Sequence, residues 1–125
     1  MILSPFRNSA IAAVGYGTWA MFANGEHSRA EWLMAGLVQA FSSFTITMSI
    51  TLFLHWIYNF FGKSNVAIVI TFTTSFLLVF GVSYGAHYIS NTPNIWETIM
   101  PSLLIGSCYL LSYLFALRIK SEIKP

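Results

Sequence analysis

Aspartate is missing from this 125-residue chain, and charge of either sign is scarce, with six Lys or Arg and four Glu making up 8% of the residues. A water-soluble domain carries roughly 25% charged residues. Hydrophobic residues reach 56%, which leaves too little polar surface to cover a globule in water, so the expected solvent is lipid. The net charge of +2 is small and its basic residues form no patch, so nucleic acid is not an expected partner. A single cysteine, Cys108, excludes an intrachain disulfide and a thiolate metal site within one chain.

The scarcity extends to chemistry. The four glutamates, Glu26, Glu31, Glu97 and Glu122, fall at or beyond the ends of the apolar runs, and no Lys or Arg lies deep within one. Proton-coupled carriers need an ionisable group inside the membrane to bind and release the proton, so that class is disfavoured. No nucleotide-binding or hydrolase motif is present. Gly15, Tyr16 and Gly17 lack the strand–turn–helix setting of a dinucleotide site. The chain reads as non-enzymatic, with no cofactor expected.

What is present is four long apolar segments, at about 5–23, 32–61, 66–89 and 95–117. Each can supply the ~20 apolar residues that a bilayer core requires of a helix, and the second exceeds them and must tilt. They are continuous and do not alternate, which disfavours a β-barrel. The expected fold is an all-α integral membrane protein, one domain over 1–125, built as a four-transmembrane-helix bundle. Ser4 and Pro5 suit a helix start, and Asn24 with Gly25 a stop. Met21, Phe22 and Ala23 make a poor cleavage site, so the first segment reads as a membrane helix rather than a leader.

Basic residues set the expected orientation. With the N-terminus inside, the cytoplasmic side holds Arg7, Lys63, Arg118, Lys120 and Lys124 and the far side only Arg29. The positive-inside rule then places both termini in the cytoplasm, in a membrane of the bacterial inner (plasma) type. Trp32, Tyr88 and Trp96 fall at the outer interface, Trp56 and Tyr58 near the inner one.

Both outer turns carry a capping-box pattern, Ser28 with Glu31 and Asn94 with Glu97, at an offset of 66 residues. At that offset Gly15 meets Gly81 and Ala40 meets Gly106, which suggests two repeated helical hairpins. Ser9, Ala13 and Gly17, then Gly36 and Ala40, then Ser102 and Gly106 form small-residue series that let helices approach closely. Pro101 removes a helix hydrogen bond and is expected to kink the fourth segment.

The second segment has the most patterned polar content. Gln39, Ser43, Thr47, Thr51 and His55 recur every four residues as a slowly drifting stripe, with Ser42, Thr45 and Ser49 beside it. Phe41, Phe44, Met48 and Leu52 form the opposite, bulky face. The stripe suits the lining of a pathway or a lipid-binding groove. It equally suits interhelical hydrogen bonds, worth about 0.6 kcal/mol each in membranes. A separate set, His27, Glu31, His87 and Glu97, falls on the outer side and has the donor types for a divalent metal, but no His-x-x-x-His or Glu-x-x-His pair is present. Interfacial histidines and helix-capping glutamates are the plainer account.

The leading expectation is a small oligomeric transporter, channel or lipid-binding protein using the second segment's polar face. The alternatives are an accessory subunit of a larger membrane complex, and an outer-face metal-dependent enzyme. Partners are the bilayer and either further copies or a larger assembly.

Overall fold

A computed structural model describes residues 5–123 as four helices, α1 (Pro5–Ala23), α2 (Arg29–Phe60), α3 (Asn65–Ile89) and α4 (Ile95–Ile123), with no strand among them. Ser4 and Lys124, invoked above as a helix start and a basic tail residue, lie outside the described residues. The chain is an all-α bundle in which α2, α3 and α4 are long and apolar enough to cross a membrane. α1 falls short of the same standard on its own: Arg7, Asn8 and Ser9 occupy its first turns. Bulky apolar side chains such as Val14, Phe41, Leu52, Val69 and Leu104 point outward, as they do where lipid is the solvent.

The α1–α2 and α3–α4 turns meet at one end of the bundle, the paired-turn end. The start of α1, the end of α4 and the α2–α3 turn occupy the other, the terminal end. α2 starts at Arg29 because Ser28 caps it: the Ser28 hydroxyl accepts from the Glu31 N–H, and the Glu31 carboxylate accepts from the Ser28 N–H and hydroxyl. α4 continues past Leu117 to Ile123. Arg118 holds that extension, pairing with Glu122 at 3.0 Å one turn on and donating to the Lys63 carbonyl across the bundle.

α1 lies on α2 through small residues. A methyl added at Gly17 would come within 2.9 Å of the Ala40 methyl, and one at Gly36 within 2.3 Å of Met21. Only glycine permits that approach. The two hairpins do not pack alike. Gly15 and its match Gly81 both have open space where a side chain would begin, but Ala40 is pressed against Gly17 while its match Gly106 has nothing beside it. Below this seam, towards the terminal end, Ile50, Leu54 and Tyr58 of α2 pack with Ala67 and Ile68 of α3 and Leu110 and Leu114 of α4 as the largest apolar core.

α1 and α4 meet at the paired-turn end, where Asn24 is fully buried. Its amide nitrogen donates to the Ala20 carbonyl and the Thr98 hydroxyl, both at 2.8 Å, and its oxygen accepts from the Asn94 N–H at 2.9 Å. Asn94 returns a bond from its own amide to the Ala23 carbonyl at 2.8 Å. The capping box expected of Asn94 and Glu97 is therefore not formed. Asn24 reaches the backbone N–H that Glu97 would have taken, and the Asn94 side chain is turned to α1.

Pro101 contributes to the same clasp. Lacking an N–H, it leaves the carbonyl four residues earlier, that of Glu97, without its helix partner. The Trp19 indole N–H of α1 donates to that carbonyl at 2.7 Å. Replacing Trp19 with Phe should leave the carbonyl short of a donor and cost about 1–2 kcal/mol of stability. Adding Pro101→Ala restores an N–H within α4, so the double variant should be less destabilised than the sum of the single changes. Unfolding in detergent micelles reads the coupling, and strictly additive costs would show that the two residues do not share that carbonyl.

Candidate functional site

Between α1 and α4, away from the clasp, the bundle opens into a cleft of about 750 Å³. Its α1 wall runs from Asn8 to Tyr16, its α4 wall from Ser102 to Ala116, and its floor is Ser43, Thr47 and Ile50 of α2 with Phe76, Val79 and Ser83 of α3. Exposed Ile11 and Ile105 stand at its rim on opposite helices, so it opens sideways, where lipid would be. The open space at Gly15 and Gly106 belongs to this cleft. Its lining is mostly apolar, with a scatter of hydroxyls and no charged side chain.

The α2 stripe reaches the cleft by way of a buried hydrogen-bond chain. Gln39 is 1% exposed and His87 fully buried. The Gln39 Oε1 can only accept, so the His87 Nε2–H donates to it, at 2.6 Å. The neutral ring's Nδ1 then accepts from the Thr92 hydroxyl at 2.7 Å. The Gln39 amide N–H donates onward to the Ser43 Oγ at 3.2 Å. Every donor in the series points the same way, from Thr92 in the α3–α4 turn to Ser43 on the cleft floor.

The stripe thus divides its work. Gln39 and Ser43 are buried and bonded, Ser43 and Thr47 line the cleft, and Thr51 is half-buried. His55, half-buried near the terminal end, has its Nε2 3.3 Å from the Tyr113 hydroxyl of α4. On the flanking edge Ser42 bonds back to the Val38 carbonyl of its own helix. Phe41, Met48 and Leu52 face outward, and Phe44 meets Phe6 of α1 edge-on at 5.6 Å.

The outer set does not gather. His27 and Glu97 are exposed, Glu31 is engaged in its cap, and both ring nitrogens of His87 are taken inside the bundle. Among the described residues no three His, Cys, Asp or Glu side chains come together as metal donors. Cys108 is exposed on α4.

Several site residues escape a reading of α2 alone. α3 carries its own four-residue polar row, Thr71, Ser75, Ser83 and His87, all buried. The Gln39–His87 bond sets the two antiparallel rows face to face, so that Ser43 meets the level of Ser83 and Thr47 that of Val79. The hydroxyls of Thr71 and Ser75 have no partner among the described residues. The spacing was there to be seen, but Val79 interrupts it. Replacing Gln39 with Leu should strand the His87 N–H and cost about 1–3 kcal/mol. Adding His87→Leu removes the stranded group, so the pair should cost less than the sum of the two. Thermal unfolding in micelles measures this, and an additive double variant would break the inferred chain.

Set beside known proteins, the chain matches no family model, no curated protein and no solved structure, so its function is read from this geometry alone.

Proposed function

We propose that the chain is a small, non-enzymatic, multi-pass membrane protein whose cleft binds the apolar chain of a membrane amphiphile. The cleft carries this reading. Its volume of about 750 Å³ falls in the range of roughly 300–1,000 Å³ typical of small-molecule sites. Its lining surface is mostly apolar and carries no charged side chain, it opens sideways rather than to water, and its hydroxyls can orient a polar linkage without ionising. Ser43, Thr47 and Ser83 supply hydroxyls from the floor, and Tyr16, Ser112 and Tyr113 from the walls.

A second reading has its own observation. Ser102 and Gly106, a small-xxx-small pair, both line the cleft, and such a seam also accepts a helix. The occupant would then be a helix of a second copy in a homo-oligomer or of a larger membrane complex. Gly106→Phe separates the two. The position has free space, so the bundle should fold while its cleft fills. Lipid retained by the protein in nanodiscs, measured by native mass spectrometry, should fall by about tenfold, a change of 1.4 kcal/mol in binding. Unchanged lipid with loss of chemical cross-linking between copies, or to a co-purifying protein, would favour the helix.

The bundle is proposed to stand in a plasma membrane of the bacterial type with the terminal end in the cytoplasm and α1 crossing alongside α2. Arg7, Lys63, Arg118 and Lys120 gather at the terminal end, against Arg29 with Glu26, Glu31 and Glu97 at the other. In a Cys108→Ser background, a cysteine replacing His27 should react with an impermeant maleimide on intact cells. One replacing Ser121 should react only after permeabilisation. The reverse pattern would invert the topology.

A further inference from the structure

A second pocket, of about 190 Å³, lies at the terminal end between the last turns of α2 and α4. Its polar lining is His55, Tyr58, Asn59, Lys63, Lys120 and Ser121, with no carboxylate. Glu122, the side-chain carboxylate at this end among the described residues, is held by Arg118 at 3.0 Å. Neither Lys63 nor Lys120 has an ion pair among the described residues.

The position of Lys63 is built. Gly62 and Lys63 have φ of 83° and 56°, the left-handed region that suits glycine and asparagine and that lysine seldom enters. The turn is closed by the Gly62 N–H to the Asn59 carbonyl and the Lys63 N–H to the Tyr58 carbonyl, each 3.2 Å. The Lys63 carbonyl accepts from both the Tyr58 hydroxyl and Arg118. Backbone preference does not account for lysine here, and Lys63 lines the pocket beside Lys120.

The pocket also adjoins the cleft. His55 lines the pocket, Tyr113 lines the cleft, and the two side chains are in contact at 3.3 Å. An uncharged apolar cleft and a cationic, donor-rich pocket are therefore separated by one pair of rings.

We propose that this pocket seats the phosphate of an anionic phospholipid from the terminal-end leaflet, with the lipid's acyl chain in the cleft. The assignment rests on the reading of the cleft as an amphiphile site. The phosphate oxygens accept from the Lys63 and Lys120 ammonium groups, with the Asn59 amide as a neutral donor. A zwitterionic headgroup brings its own cation against the two lysines and is disfavoured.

The test uses the full chain in nanodiscs of equal phosphatidylglycerol and phosphatidylcholine, with retained lipid identified by native mass spectrometry. The protein should retain phosphatidylglycerol over phosphatidylcholine by about tenfold. Lys63→Asn with Lys120→Gln should bring the two lipids to parity while total retained lipid is unchanged. Asparagine tolerates the left-handed backbone, so the turn is preserved. Retained lipid without preference in the parent, or a preference that survives the double variant, overturns the headgroup site and leaves the cleft reading intact. No retained lipid in the parent overturns both. Labelling of Lys63 and Lys120 with an amine reagent separates the sources of phosphate. If inorganic phosphate alone protects them as well as phosphatidylglycerol does, the pocket takes free phosphate and the lipid assignment fails.

Discussion

A polar side chain inside a bilayer has no water to turn to, and leaving an amide or an imidazole there without a partner is costly. The bond between Gln39 and His87 meets that constraint most directly. It joins two helices at a single register, because sliding α2 along α3 would strand an amide and an imidazole together. Once that register is set, Ser43 and Ser83 share the cleft floor, and Ile50, Leu54 and Tyr58 meet the α3 and α4 side chains that form the apolar core. Lipid-facing packing alone would not choose this register, since Leu is as well solvated by acyl chains as by another Leu.

The two ends of the bundle follow different rules. At the paired-turn end α1 and α4 are bound by directed hydrogen bonds through Asn24, Asn94, Thr98 and Trp19. Towards the terminal end the same two helices part, and glycines face the gap where a seam could have been. A molecule fixed at one end and open at the other can admit a guest without surrendering its register. That division of labour supports a binding role for the cleft more than any single residue in it.

Much of this was legible in the chain and some was not. Long uninterrupted apolar runs announce helices whatever their neighbours do, so the element order could be read directly. The four-residue recurrence on α2 pointed to a polar face, and that face is where Gln39, Ser43 and Thr47 do their bonding and lining. Asn24 reads as a helix stop because Asn before Gly so often is one. Only the arrival of α4 turns it into a buried crosspiece. Glu97 has the spacing of a cap and loses the role because a partner from α1 is better placed. The cleft depends on how far α1 and α4 diverge, and no local pattern encodes a divergence. α1 itself reads as a span by length, yet its polar first turns leave it dependent on α2.

The clasp joins the first helix to the last. During synthesis Trp19 and Asn24 are made long before Glu97, Asn94 and Thr98 exist to receive them. Until α4 arrives, α1 carries unmatched polar groups at its end and is held only by its glycine seam on α2. A nascent chain stopped after α3 would thus present an indole N–H and a carboxamide that only α4 later engages. Completion of the chain pairs them, so one set of hydrogen bonds also marks the difference between a finished protein and an unfinished one.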